Sequence, residues 1–210
     1  MRIREAIQAG EFQSGDRLRE NDIAAWLSMS RTPVREAMTL LESEGILSFE
    51  LGRGLVVTTL GRHQVAELYK VRGVLEGLAA SLAARYIDDN ELTLLGEHLL
   101  RCETCRDPVE AACVNRQFHE AIYAASHNRF LMETLNGLRT SLALLRGTTF
   151  SVSERMDAVH REHRAIYEAI RARDEAQAEA ASRTHMRHAE LARLKLMDMQ
   201  ASTSRAPALR

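Results

Sequence analysis

Two arginines in the segment 30–37 are spaced for contact with an anionic partner. The segment reads Ser-Arg-Thr-Pro-Val-Arg-Glu-Ala, which places Arg31 and Arg35 four residues apart. On a helix this spacing puts both guanidinium groups on one face, opposite an apolar stripe that begins at Val34. Guanidinium groups offer paired N–H donors to phosphates and base edges, so the pattern favours nucleic-acid binding. The alternative interpretation is a helix whose arginines only face solvent.

A second group of residues is suited to metal binding. Asn115 and His119 are separated by one helical turn, and a break near residue 173 lies about ten residues from both His163 and His185. If that break closes a helical hairpin, the last two histidines reach similar heights. Three neutral imidazoles and an amide oxygen can hold a borderline divalent metal and leave positions for water or ligand. Single histidines are more often ordinary buried or surface residues, and this interpretation also remains open.

The cysteines offer a weaker metal pattern. Cys102 and Cys105 form a lone Cys-x-x-Cys, with Cys113 downstream. A structural zinc site needs four converging ligands, and residues 91–106 have the periodicity of an amphipathic helix. We therefore interpret the thiols as small apolar side chains in a reducing compartment.

The elements that position the arginines form a helix-turn-helix with a wing. Residues 22–27 predict a short helix, Ser28 and Met29 a turn, and Gly45 the end of the arginine-bearing helix. The segments 46–51 and 55–59 predict two strands joined by Gly52, Arg53 and Gly54. In such a domain the second helix enters the major groove, and a glycine-flanked arginine at the hairpin tip can reach a phosphate or the minor groove.

Beyond residue 60 the strand patterns disappear. Residues 61–63 predict a junction, residues 64–198 an all-α antiparallel bundle, and residues 199–210 a disordered tail. The predicted fold is therefore mainly α, with a winged helix-turn-helix domain over residues 1–60 followed by a helical bundle. The predicted helices of the bundle cover residues 64–86, 91–106, 109–126, 129–147, 153–171 and 174–198.

Composition limits the classes of function. The net charge is −1, there is no apolar run near 18 residues, and no signal peptide is recognisable, so we expect a soluble cytoplasmic protein without a membrane partner. Residues 1–60 carry seven arginines and nine acidic residues, without the broad basic footprint of many nucleic-acid binders. This acidic background predicts modest non-specific affinity and a homodimer that binds two half-sites of an inverted repeat.

The first 60 residues resemble the DNA-binding domain of the GntR family of bacterial transcription regulators. The segment 30–37 reproduces the family's signature, and Ala9-Gly10 followed by Gly15-Asp16-Arg17-Leu18 resembles the turn before the second helix. Ser14 stands where proline is usual, and Asn21 where some relatives carry a DNA-contacting arginine. The resemblance implies contact with a double-stranded operator by Ser30, Arg31, Thr32 and Arg35, with Gly52 and Arg53 in the wing.

Residues 64–198 resemble the FadR-type C-terminal ligand-binding domain, in its metal-containing branch. The matching motifs are Asn115-Arg116-Gln117-Phe118-His119, the later His163 and His185, and Val71-Arg72-Gly73-Val74-Leu75-Glu76. The resemblance implies that Asn115, His119, His163 and His185 bind a divalent transition metal: zinc first, with nickel and manganese as alternatives. It also implies that Arg72 faces the cavity for a small organic-acid effector.

These features together predict a transcriptional regulator, in particular a repressor, and not an enzyme. One alternative is a metal-free regulator that senses an acyl-type ligand. Another is a hydrolase whose histidine-bound metal activates water, but no positioned general acid or nucleophile accompanies the histidines.

Overall fold

The computed structural model describes residues 2–145, 147–152 and 154–204, which form two compact units. One unit contains residues 2–61 together with 137–145. The other contains residues 62–136 and the described residues from 147 onward.

The first unit is a winged helix-turn-helix, as predicted. Its core is an apolar cluster in which Ile7, Ile23, Met38 and Leu41 are almost completely buried. Two short strands pair antiparallel, with Leu47 opposite Val57 and Glu50 opposite Gly54. The elements are α1 (Arg2–Ala9), α2 (Glu20–Leu27), α3 (Arg31–Ser43), β1 (Leu47–Glu50), β2 (Gly54–Val57) and α8 (Arg139–Ala143).

The second unit is helical, and its core follows the small residues of its first helix. Ala79, Ala80, Ala83 and Ala84 are fully buried there, so the backbones of neighbouring helices can approach closely. None of the helices in the described ranges is long and apolar enough to cross a membrane. The elements are α4 (Arg62–Tyr86), α5 (Asp89–Thr104), α6 (Pro108–Ala125), α7 (Arg129–Gly137), a 3-10 turn (Thr149–Ser151), α9 (Arg155–Arg171) and α10 (Glu175–Ser204).

The predicted single helix over 129–147 is wrong. The chain turns at Leu138, directly after Gly137, and α8 follows as a separate short helix. Glycine lowers helix stability by about 1 kcal/mol relative to alanine, which makes a break there inexpensive. Residues 137–145 belong to the first unit, where Leu144 enters the apolar core and Gln8 Nε2 donates a 2.9 Å hydrogen bond to Thr140 Oγ1. The predicted continuous bundle domain over 64–198 is therefore interrupted.

The predicted disordered tail over 199–210 also needs correction at its start. Residues 199–204 continue α10, and the remaining six lie outside the described residues.

Candidate metal centre and nucleic-acid interface

Three of the predicted ligand residues converge inside the helical unit. His119 lies on α6, His163 on α9 and His185 on α10, and each offers a ligand nitrogen within 4.8 Å of the others. All three side chains are buried. The His163 ring also stacks on Phe118, with ring centroids 4.3 Å apart, so packing fixes its orientation.

The start of α6 fixes which residues of that helix face the cluster. The Asp107 carboxylate accepts hydrogen bonds from the backbone N–H groups of Val109 and Glu110, and Pro108 occupies the first turn. In the resulting register His119 is buried. Asn115, half-buried, lies one turn earlier on the same face.

Several ring nitrogens in the cluster have no hydrogen-bond partner among the described residues. They are Nε2 of His119 and both Nδ1 and Nε2 of His163, all shielded from solvent. A buried polar atom without a partner costs about 1–3 kcal/mol, so native proteins rarely leave several of them together. A cation bound to Nε2 of His119 and to one nitrogen of His163 satisfies two of these three atoms, and the donor set therefore fits a divalent metal.

Two carboxylates that were not predicted as part of the site lie beside the imidazoles. Glu76 Oε2 lies 2.9 Å from Nδ1 of His119, and Glu162 Oε2 lies 2.6 Å from Nδ1 of His185. A carboxylate hydrogen-bonded to Nδ1, as Glu162 is to His185, fixes the tautomer and leaves Nε2 free as a ligand. Glu76 approaches Nδ1 of His119 at ion-pair distance. The sequence contains one indication that Glu76 has a role: it is an acidic residue within the apolar stripe of a predicted buried helix.

Electrostatics keep His163 and His185 neutral and the two carboxylates ionised. Burial, reinforced by the two neighbouring histidines, holds the pKa of His163 well below its usual value. Burial also lowers the pKa of His185 to about 4, against the opposing effect of Glu162. Burial opposes the ionisation of Glu162, but hydrogen bonds from His185 and Arg155 lower its pKa to about 2. Neutral imidazoles are the form that binds metals.

Arg72, the predicted effector-binding residue, lies largely buried on α4 and is already paired with a carboxylate. Its Nε and Nη2 lie 2.9 and 2.7 Å from Oε1 of Glu76, and its guanidinium stacks over Tyr69 at 4.9 Å. Burial opposes the ionisation of Glu76, but Arg72 and His119 hold its pKa below its usual range. One carboxylate thus links the arginine to the histidine cluster.

The predicted DNA-contacting residues lie on α3 and the wing. Ser30 occupies the N-cap position of α3, and Arg31, Thr32 and Arg35 are exposed. At the wing, Gly52 has a φ of +80°, which favours glycine. The Arg53 guanidinium donates to Glu50 and to the backbone carbonyl of Gly15, at 2.6 and 2.8 Å.

The three cysteines differ in exposure. Cys102 is buried in the core of the helical unit, Cys105 follows the end of α5, and Cys113 is exposed on α6. All three are free thiols. Burial raises the pKa of the Cys102 thiol to about 12, which agrees with its interpretation as a small core residue.

Comparison with known proteins matches both units. The family described as "Bacterial regulatory proteins, gntR family" matches residues 1–57, and the FCD domain matches residues 67–188. An uncharacterised regulator of the helix-turn-helix type from Bacillus subtilis, YdhC, is 32% identical over 190 residues, 89% of this chain and 85% of its own. A probable D-xylose utilization operon repressor from Paenarthrobacter nicotinovorans is 30% identical over 182 residues, 86% of this chain and 80% of its own.

Among solved structures, Escherichia coli McbR/YncC has the same fold. The TM-score is 0.77 at 24% identity, over 93% of this chain and 95% of that one. Two family matches that together span most of the sequence, and a 30%-identical relative matched over most of its length, agree with the winged helix and the helical unit. The chain therefore belongs to the GntR family of bacterial transcriptional regulators, with a DNA-binding winged helix-turn-helix and a C-terminal FCD domain.

Proposed function

We propose that this protein is a repressor whose affinity for its operator is controlled by a small organic acid bound beside a divalent metal in the FCD domain. The carrying observation is the convergence of three buried histidines, several of whose ring nitrogens have no partner among the described residues. The repressor role is supported by the D-xylose operon relative, which is named a repressor.

The metal ligands in this proposal are His119, His163, His185 and Asn115. Nitrogen ligands and an amide oxygen suit zinc first, with nickel and manganese as alternatives. When bound, a divalent cation supplies positive charge and open coordination positions for a carboxylate. Glu76 and Glu162 hold the imidazoles in the ligating tautomer.

The effector in this proposal is an anion that uses both the metal and Arg72. The Nε and Nη2 atoms of Arg72 face Glu76, and the guanidinium has a further N–H-bearing nitrogen, Nη1. An effector carboxylate that contacts Arg72 competes with the Glu76 carboxylate for the same guanidinium group. This competition gives the effector a way to change the contacts of a residue that also touches His119. Sugar acids, hydroxy acids and dicarboxylates all have the required group.

The regulator acts in this proposal as a cytoplasmic homodimer on an inverted repeat. One apolar stripe on α4 supports a second copy as the partner: Val71, Val74 and Leu78 are exposed and follow one helical face. Val74→Glu is expected to give monomers in analytical ultracentrifugation. The control is Leu100→Glu, at an exposed position on α5, which is expected to leave the dimer intact.

The metal is tested by measuring the zinc content of the full-length protein after zinc loading and dialysis. Wild type is expected to retain about one zinc per chain, and His163→Ala and His185→Gln to lose it. His63→Ala is the matched control because that side chain is 88% exposed. Circular dichroism shows whether each variant folds. The metal-free alternative is favoured by two results together. Wild type binds no zinc, nickel or manganese at micromolar concentrations, and His163→Ala responds to organic acids as wild type does.

The effector is tested by calorimetric titration of zinc-loaded protein with sugar acids, hydroxy acids and dicarboxylates. An acid that binds is then added to the complex of the protein with DNA selected from a randomised pool. We expect the acid to release the DNA. We also expect Arg72→Ala, and wild type after chelation of the metal, to lose binding of the acid. Binding that survives both changes rules out this arrangement.

A further inference from the structure

The two arginines of α3 that predict DNA binding differ in their hydrogen bonds within the protein. Arg35 is fixed by Glu20, the first residue of α2: Nε lies 2.9 and 3.1 Å from the two carboxylate oxygens, and Nη2 lies 2.8 Å from Oε2. Arg31 makes no hydrogen bond or ion pair within the described part of the chain. Both side chains are exposed, so the difference comes from Glu20 and not from burial.

Glu20 is held on a fixed element. It opens α2, where a carboxylate interacts favourably with the positive end of the helix dipole. Ile23 and Ala24 of the same helix are buried in the core of the unit, which anchors the short helix against α3. The hydrogen bond from Arg35 holds the pKa of Glu20 below its usual value, so the carboxylate is charged at neutral pH.

The contact occupies one edge of the Arg35 guanidinium and leaves another. A guanidinium has five N–H donors in a planar fork. The edge formed by Nε and Nη2 faces Glu20, and the edge formed by Nη1 and Nη2 remains. A guanine in the major groove presents two parallel acceptors, O6 and N7, which match one such edge.

We propose that Glu20 is a positioning residue that fixes Arg35 so that its Nη1 and Nη2 atoms read a guanine in the operator. This inference rests on the proposed function. An arginine side chain that is already ordered loses less conformational freedom when it binds a base. Arg31, without such a partner, keeps the freedom to follow the phosphate backbone or a base.

Glu20 also acts against binding to DNA in general. Its negative charge at the exposed start of α2 repels phosphates and partly neutralises Arg35. Non-specific affinity depends on phosphate neutralisation and therefore decreases, while the contact with guanine benefits from the fixed geometry. Glu20 thus increases the ratio of specific to non-specific affinity, because it strengthens the specific contact and weakens non-specific binding.

The experiment uses full-length protein and two duplexes: one that wild type selects from a randomised pool, and a scrambled duplex of the same composition. Glu20→Gln and Glu20→Ala are compared with Asp22→Asn, which removes a charge from the same exposed turn without touching Arg35. For both Glu20 variants we expect about tenfold weaker binding to the selected duplex and unchanged or stronger binding to the scrambled one. Asp22→Asn is expected to keep the wild-type ratio of the two affinities.

A base analogue separates positioning from a general structural effect. 7-deazaguanine lacks the N7 acceptor, and each guanine of the selected duplex is replaced in turn. The guanine whose replacement weakens wild type but not Arg35→Ala is the one that Arg35 reads. At that guanine the penalty is expected to shrink in Glu20→Ala, with Glu20→Gln intermediate because its amide oxygen still accepts a hydrogen bond.

The outcomes distinguish this inference from the proposed function. If wild type selects no sequence from the pool, the proposed operator binding fails. If wild type selects a sequence but the Glu20 variants keep both its affinity and the 7-deazaguanine penalty, the positioning role is wrong. Tighter binding of the variants to the selected duplex also overturns it, because Glu20 then only competes with DNA for Arg35.

Discussion

Glu76 Oε2 lies 2.9 Å from Nδ1 of His119, inside the helical unit where both side chains are almost completely buried. The other oxygen of the same carboxylate is 2.7 Å from Nη2 of Arg72. One residue of α4 thus contacts both a proposed metal ligand and the proposed effector-binding arginine. The two proposed binding events therefore share a physical connection through this carboxylate.

Glu76→Gln is expected to lower the zinc affinity of the protein by about 10- to 100-fold, because a neutral amide orients His119 less strongly than a carboxylate. The measurement is competition with a chromophoric chelator. Glu67→Gln, on the same helix but exposed, is the control and should bind zinc as wild type does. Equal zinc affinity of Glu76→Gln and wild type would show that the carboxylate does not support the ligand.

Asn115→Asp is expected to raise the metal affinity and to weaken binding of the organic acid. An aspartate reduces the combined charge of the metal and its four ligands from +2 to +1, so the cation is held more tightly and attracts an anion less. Zinc competition and calorimetric titration measure the two effects. Asn136→Asp adds the same charge at an exposed position of α7 and should change neither affinity. Two affinities that move in the same direction contradict the electrostatic account.

Local spacing predicted two parts of the histidine cluster, and the family resemblance, not the spacing, predicted that the two parts meet. One helical turn separates Asn115 from His119, and the break near residue 173 joins α9 to α10. Glu76 and Glu162 were not recognised as supports, since the importance of a glutamate depends on its neighbours from other helices. Their partners, His119 and His185, are 43 and 23 positions away in the chain.

The segment 137–145 shows the same limit for the fold. Its periodicity continues that of α7, so the sequence predicts one helix. Local periodicity does not predict which of the two units' apolar cores an apolar helix face will pack into. The structure places Leu144 in the core of the winged-helix unit, a choice made by tertiary packing.

Leu144→Ala is therefore expected to destabilise the winged-helix unit by about 2–5 kcal/mol through loss of buried contacts and formation of a cavity. Leu144 is 4% exposed within that core. Trp26, the single tryptophan of the chain, lies on α2, so its fluorescence during urea unfolding reports on this unit. Leu51→Ala, at a 96% exposed position, should stay within about 0.5 kcal/mol of wild type.

A fragment that ends at Gly61 lacks α8 altogether. We expect this fragment to unfold at lower urea concentration than the same unit in the full chain, because the position of Leu144 is then empty. Equal midpoints for the fragment and the full chain, followed by Trp26 fluorescence, contradict a structural role for residues 137–145.

Acid is expected to destabilise the metal-free helical unit. The pKa of His185 is about 4 in the folded protein, because of burial, and about 6.5 in an unfolded chain. Between these values the unfolded chain binds more protons, so the free energy of unfolding decreases as pH falls from about 6.5 to about 4 and this contribution levels off below. His185 alone accounts for roughly 3 kcal/mol.

The measurement is urea unfolding of chelator-treated protein, followed by circular dichroism at several pH values. The pH dependence should be weaker in His185→Gln and unchanged in His63→Gln, whose side chain faces solvent. Zinc-loaded wild type should stay stable to lower pH, because protons compete with the metal for the same imidazoles. A flat profile for metal-free wild type contradicts the neutral buried state of His185.

The final prediction separates Arg31 from Arg53. Arg31 has no hydrogen-bond partner among the described residues, whereas Arg53 ties the wing to the Gly15 carbonyl and to Glu50. Arg31→Ala is expected to cost about 1–3 kcal/mol per half-site on the selected duplex without changing the unfolding midpoint. Arg53→Ala is expected to lower the unfolding midpoint and to weaken all duplexes to a similar extent.

Salt titrations distinguish the two roles further. If Arg53 neutralises a phosphate, its removal reduces the slope of log affinity against log salt by about one for each wing. Loss of a base contact by Arg31→Ala leaves that slope close to wild type and instead reduces discrimination at one base pair. If Arg31→Ala and Arg35→Ala both bind the selected duplex at wild-type affinity, the assignment of α3 as the recognition helix is wrong.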